Sequence, residues 1–268
     1  MSLRIIGTRL AAGLQVLREL DRGVSSRVYL ASDGKRLAAL KLFREQDAWR
    51  AARELEVGRG LDHPHLNAVD EAVTVLGRPG LLMPLVLGVR YTRWADKEAN
   101  LGQRLVALAG VAEAIAHLHS RGVVHRDVKP ENILVDARGH AKLLDYDLAA
   151  RVDDPKPGPA VAGTIAYLSP EQARGQTAVP ASDVYGLGAV AYRAITGQAP
   201  FTGEADEVLR AHAEAAPPLP SAVRRDLEPF DDLVSALMAK PLAARPTARE
   251  AAEGLKAASL MIGRVTDP

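Results

Sequence analysis

Three successive short stretches in which apolar residues predominate, LQVLREL (14 to 20), RVYLAS (27 to 32) and RLAALKLF (36 to 43), read as strands. Asp33-Gly34 separates the last two, and such a pair suits a tight hairpin turn, so the spacing predicts a three-stranded meander. Residues 45 to 61 have the composition of a helix that ends at His63-Pro64, and AVDEAVTVL and GLLMPLV then read as two more strands. Beyond Gly88 the character changes. Leu101, Leu105, Leu108, Ala112, Ile115 and Leu118 recur at intervals of three and four, which predicts a long helix with one apolar face. A helix over 182 to 197 is predicted to start at Ser182 as cap and to stop at Gly197. Others are expected near 204 to 215, 229 to 239 and 247 to 260. The loop 153 to 163, DDPKPGPAVAG, is too rich in Pro and Gly for regular structure. The pattern is α+β: five strands and one helix first, helices afterwards.

Composition narrows the function classes more than it selects one. A chain of 268 residues with 47% hydrophobic content can bury a sizeable core. The 34 basic residues nearly balance the 33 acidic ones, so no global field points to nucleic acid. There is no cysteine, which excludes disulfides and thiolate metal sites and makes a cytoplasmic location the expectation. The longest near-continuous apolar run, 80 to 89, is too short to span a bilayer, and Arg9 interrupts the apolar N-terminus, so no membrane segment or secretory signal is expected.

The chemistry concentrates in VVHRDVKPENILV, residues 123 to 135, where Asp127, Lys129 and Asn132 fall within six positions. Phosphoryl transfer needs an oriented acceptor hydroxyl, neutralised charge on the moving group and a held metal ion, which a carboxylate, an ammonium and an amide oxygen can supply. The segment resembles the catalytic loop of protein kinases, H-R-D-x-K-P-x-N. The resemblance runs from about Leu14 to Leu260, and its flavour, judged from YLSPEQARG, is that of the eukaryotic-like (Hanks-type) serine/threonine kinases of bacteria.

The resemblance implies a bilobal protein-kinase fold in a single domain over 1 to 268. Its N-lobe, about 1 to 86, would hold a five-stranded antiparallel sheet and one helix, and its C-lobe, about 87 to 262, would be mainly helical. ATP and magnesium are the implied cofactors, with manganese as an alternative metal, and the implied partner is a protein with a Ser or Thr acceptor. Asp127 would orient that hydroxyl and Lys129 would stabilise the transferring phosphoryl. Asn132 and Asp145 would bind the metal, while Lys41 and its ion-pair partner Glu54 position the phosphates. Leu20, Gly23, Val28, Ala39, Met83, Pro84 and Val86 would line the nucleotide site, the Pro84 carbonyl and the Val86 N–H facing adenine. Thr164 belongs to the implied substrate loop, whereas Glu171, Asp183 and Arg245 resemble residues that brace the C-lobe. Arg126, Tyr146 and Asp147 are regulatory candidates.

Three departures from the family pattern matter. The glycine-rich loop, LDRGVSSRV (20 to 28), has Asp21, Gly23 and Ser26 at its three glycine positions, which should stiffen or displace a phosphate lid. Between Asp147 and Thr164 there is no Ser, Thr or Tyr, so no loop phosphate can pair with Arg126, and Asp153 or Asp154 is expected to take that place. The D-F-G segment reads Asp145-Tyr146-Asp147: the ring is kept, but Asp147 replaces a glycine that permits positive φ, and is expected to act as a conformational lock. Two other readings stand beside the active kinase. One is a nucleotide-binding pseudokinase that serves as scaffold or allosteric partner, motivated by the worn loop and Asp147. The other is a kinase for small molecules, which the SPE segment and Arg245 argue against.

Overall fold

The computed structural model describes residues 5 to 265 apart from 12, 153 and 155 to 164, with side chains through 262. The chain divides into two compact units, one of residues 1 to 87 with 145 to 149, the other of 88 to 144 with 150 to 268.

In the first unit, β1 (Gln15–Arg22), β2 (Ser26–Ser32), β3 (Leu37–Phe43), β4 (Glu71–Val75) and β5 (Arg78–Pro84) form one antiparallel sheet in the order β1-β2-β3-β5-β4. β3 is central and buried on both sides from Ala38 to Phe43, which is why its sequence is an almost unbroken apolar run. Ile5, Leu10 and Leu14 pack with Val16, Tyr29, Leu40 and Leu82, so the residues before β1 contribute to the core, a role the periodicity did not reveal. On the other side Phe43, Val69 and Leu81 cluster with Ala51 of α1 (Ala48–Gly58). That helix is shorter than the span 45 to 61 suggested by composition, because Glu45–Asp47 adopt a 3-10 turn first.

The second unit is mainly helical. It holds β6 (Val89–Arg90), α2 (Tyr91–Lys97), α3 (Leu101–Ser120), β7 (Val123–Val124), β8 (Ile133–Val135), β9 (Ala141–Leu143) and β10 (Ala150–Arg151). After these come α4 (Pro170–Ala173), α5 (Pro180–Thr196), α6 (Ala205–Glu214), α7 (Pro220–Val223), α8 (Asp231–Leu237) and α9 (Ala248–Val265). β8 pairs with both β6 and β9, and β10 pairs with β7, which anchors the two ends of the loop 125 to 132.

α3 starts in a reciprocal cap: Gln103 N–H donates to Asn100 Oδ1 and Asn100 N–H to Gln103 Oε1, each at 2.9 Å. Its burial departs from the expected single face. Ala107, Ala109, Val111 and Ala114 are buried along with Leu105, Leu108, Ala112, Ile115 and Leu118, because α5, α9, β7 and β9 surround it. Among the described residues this is also the helix long and apolar enough to cross a membrane by length and composition, a property that its place in the core explains. α5 begins two residues earlier than the sequence suggested. Ser182 lies in its first turn, where its hydroxyl accepts from Val179 N–H at 2.9 Å and donates to Glu171 at 2.5 Å. The helix ends at Gly197 in the left-handed conformation, φ 83°. At Gly188 a Cβ would come within 2.8 Å of Leu237 and Met238, so only glycine lets α5 lie this close to α8.

Candidate active site

In the second unit the loop after β7 carries three of the expected residues into direct contact. Lys129 Nζ donates to Asp127 Oδ2 at 2.7 Å, and Asn132 Nδ2 donates to both Asp127 Oδ2 and the Asp127 carbonyl at 2.8 Å. With its amide nitrogen engaged twice, Asn132 keeps its oxygen as the end left to accept or to ligate.

The loop is held by its backbone. Asp183 on α5 is buried and accepts from the N–H groups of His125 and Arg126 at 2.8 Å each, with His119 Nε2 also at 2.8 Å from its carboxylate. Arg126 sits at φ 69°, a conformation that side chains disfavour, and Gln172 Nε2 fixes its carbonyl at 2.8 Å. Beneath it His125 is fully buried. Its Nε2 donates to the Leu144 carbonyl at 3.1 Å, so Nδ1 is left to accept from Asp127 N–H at 3.3 Å. Ser169, where the family pattern has alanine, is the N-cap of α4 and shares a reciprocal cap with Gln172, the same side chain that holds Arg126. Glu171 and Arg245 form a buried bidentate pair at 2.8 and 3.0 Å. Burial alone would raise the Glu171 pKa, but Arg245 and Ser182 outweigh it and hold it below the usual range.

The residues expected to handle the phosphates and adenine lie, Asn132 and Lys129 aside, in the first unit. Lys41 on β3 donates to Glu54 of α1 and to Asp145, both at 2.6 Å. Burial alone would depress Lys41, yet the carboxylates of Asp145 and Glu54 hold its pKa above the ordinary lysine value. The reverse balance applies to Asp145, where burial would raise the pKa but Lys41 keeps it well below the carboxylate range. Burial pushes Glu54 up, with Lys41 pulling it back.

Tyr146 is buried. Its hydroxyl accepts from Asn67 N–H at 3.1 Å, a bond that phenylalanine could not make. In this conformation the positive φ of the segment falls on Asp145, at 69°, and not on Asp147, so the side chain at 147 carries no backbone penalty here. Its Oδ2 instead accepts from Arg50 Nη1 at 3.0 Å and from Ser25 Oγ at 3.4 Å. Burial, and then the charge of Asp145, push its pKa up to about 6 against the pull of Lys41 and Arg50. Ser25 belongs to the turn of the worn glycine loop, where Gly23 N–H donates to the Ser26 carbonyl at 2.9 Å.

Leu20, Val28 and Ala39 lie on β1, β2 and β3, Met83 and Pro84 end β5, and Val86 follows it. The Pro84 carbonyl, expected to face adenine, accepts from Asn67 Nδ2 at 3.2 Å, which leaves one lone pair for another donor. Thr164 and Asp153 lie outside the described residues. Arg50 and Asn67 were missed in the sequence. Arg50 stands four residues before Glu54, hence on the same face of α1, but its acidic partner is 97 residues away.

A family model described as the protein kinase domain matches residues 14 to 254. The chain belongs to the protein kinase family. Its curated relatives place it among the bacterial Hanks-type kinases. It is 37% identical to the DNA damage-responsive serine/threonine-protein kinase RqkA of Deinococcus radiodurans, over 91% of this chain and 38% of that protein. Serine/threonine-protein kinase PrkC of Bacillus subtilis is 34% identical over 80% of this chain and 35% of its own length. PknB of Mycobacterium tuberculosis is 34% identical over 86% of this chain and 39% of its own length. The chain thus spans between a third and two fifths of the length of these relatives.

Proposed function

We propose that this kinase domain transfers the γ-phosphoryl group of ATP to serine or threonine hydroxyls of proteins. The observation that carries the reading is the contact set around Asp127, with Lys129 at 2.7 Å and Asn132 at 2.8 Å, on a loop whose strained backbone Asp183 holds in place. The relatives' names support serine and threonine as acceptors.

Asp127 accepts the hydrogen bond, and then the proton, of the acceptor hydroxyl as it attacks. Lys129 sets its ammonium against the charge that spreads over the transferring phosphoryl. Lys41, fixed by Glu54, contacts the non-reacting phosphates. Each of two donors, taken within its own unit, suits a hard divalent cation: Asp145 is kept ionised by Lys41, and the Asn132 amide keeps its oxygen for ligation. Asp145 and Asn132 would hold magnesium, or manganese in its place. That ion would supply charge neutralisation at the phosphate oxygens.

Incubation with γ-labelled ATP, magnesium and a Ser/Thr-rich acceptor protein, followed by phosphoamino acid separation, tests the reading. Labelled phosphoserine or phosphothreonine is expected. Nucleotide binding without any transfer, or label on tyrosine alone, would overturn it.

A further inference from the structure

Two parallel polar links run from one face of α1 to the segment at 145 to 147. The first is Glu54 to Lys41 to Asp145, with both contacts at 2.6 Å. The second, one helical turn earlier, is the ion pair between Arg50 Nη1 and Asp147 Oδ2 at 3.0 Å. The first link is the arrangement expected of the family. The second depends on an aspartate at a position where the family pattern has glycine, and on an arginine that no motif requires.

The pair is built and enclosed. Asp147 is 6% exposed, and its backbone N–H points back to Asp145 Oδ1 at 3.4 Å. Ser25 Oγ adds a third element to the same carboxylate oxygen. Arg50 lies over the Trp49 ring, with its guanidinium carbon 4.6 Å from the centroid, and has Asp47 3.7 Å from Nε. A partly buried guanidinium with one short carboxylate contact has little freedom to relocate, so moving either α1 or the 145 to 149 segment means opening the pair. Residues 145 to 149 cluster with the first unit although more than fifty residues of the second unit precede them, as such tethering requires. The stretch 148 to 163, meanwhile, contains no Ser, Thr or Tyr.

We propose that Arg50 and Asp147 form a latch that fastens α1 to the Asp145 segment, so that Glu54 and Asp145 are positioned together without a phosphate on the following loop. Both are positioning residues: they act through Glu54 and Asp145 and need touch neither nucleotide nor acceptor. Part of the latch is Ser25, so the serine in the worn glycine loop contributes to holding the segment. The consequence is a kinase domain with its first unit set constitutively, whose control lies elsewhere than in loop phosphorylation.

The inference rests on Lys41, Glu54 and Asp145 being the phosphate- and metal-handling residues, and its test therefore begins with a readout independent of turnover. Hydrogen exchange is followed in peptides covering 48 to 58 and 145 to 149 for wild type, Arg50→Met, Asp147→Gly and the double variant. Each single variant is expected to raise exchange in both segments together by about threefold or more, and the double variant to go no further than the worse single one, as for two ends of one contact. Arg50→Lys, which keeps the charge, should restore most of the protection. In turnover, Arg50→Met and Asp147→Gly should lower kcat about tenfold with KM for ATP changed less than twofold, because pre-organisation rather than binding is lost. Exchange that rises in only one segment, or effects that add in the double variant, would overturn the latch. So would an Asp147→Asn variant whose manganese dependence shifts while exchange stays at the wild-type level, since Asp147 would then belong to the metal. A failure of the kinase reading would show differently, as wild-type protection with no transfer in any variant.

Discussion

Asp183 accepts the backbone N–H of Arg126 at 2.8 Å, and Arg126 is the residue of the catalytic-loop motif with φ at 69°. The two facts belong together. A left-handed arginine costs about 1 kcal/mol or more, and persists only where its surroundings over-determine it. Here a buried carboxylate reads two successive N–H groups, and Gln172 takes the Arg126 carbonyl that follows them.

Replacing Asp183 by alanine leaves both N–H groups buried without that partner. The expected cost is about 3 kcal/mol of unfolding free energy, from one to two unsatisfied donors at roughly 1–3 kcal/mol each. Urea denaturation measures it. A loss below about 0.5 kcal/mol would mean that water or other groups take over, and that the loop is not held as described.

Lys41 differs from its sequence-level expectation. If it met Glu54 only at the lobe interface, as the sequence suggested, it could be lost with little effect on stability. The structure buries it to 4% exposure between two carboxylates at 2.6 Å. Lys41→Met is therefore expected to lower stability by about 3–5 kcal/mol, the range for leaving a buried partner charge uncompensated, besides reducing phosphoryl transfer. Denaturation of Lys41→Met beside Lys41→Met/Glu54→Gln separates the terms, because the second change removes a stranded carboxylate and should recover part of the loss.

His212 makes stability depend on pH. It is fully buried on α6, with Nδ1 3.1 Å from the Tyr185 hydroxyl and its own carbonyl accepting from Lys240 at 2.7 Å. Burial first, and then the Lys240 charge, push its pKa down to about 4 from 6.5. Between those values the unfolded chain binds more protons than the folded one. The contribution of His212 is therefore complete above about pH 6.5 and is lost as pH falls toward 4, by at most about 1.4 kcal/mol per pH unit. Urea unfolding at pH 7, 6 and 5 should show a steeper decline for wild type than for His212→Gln. Parallel curves would contradict the assignment.

The elements most legible in the sequence were those with a strong local signal. The hairpin at Asp33-Gly34 and the apolar β3 follow from patterns a few residues wide, and α3 from the recurrence of apolar residues between Leu101 and Leu118. The contact set of Asp127, Lys129 and Asn132 was legible for the same reason, since its members span six positions. What could not be read were long-range polar partners outside the family's motifs. Arg50 looks like any exposed helical arginine until Asp147 is brought to it, and Tyr146 reads as a conservative exchange until Asn67 N–H is found at its hydroxyl. The burial of α3 on several sides was hidden as well, because alanines on a second face carry little hydrophobic signal yet permit close packing.

The central claim is that Asp127 handles the acceptor hydroxyl in phosphoryl transfer. Asparagine at 127 keeps an oxygen for the contacts with Lys129 and Asn132 but cannot take up a proton. Single-turnover transfer from γ-labelled ATP, measured by rapid quench for wild type and Asp127→Asn alongside nucleotide affinity, tests this most directly. The account predicts a rate lower by about 100-fold or more with affinity unchanged, as for the loss of a positioned acid–base group. Transfer by Asp127→Asn at the wild-type rate would contradict it.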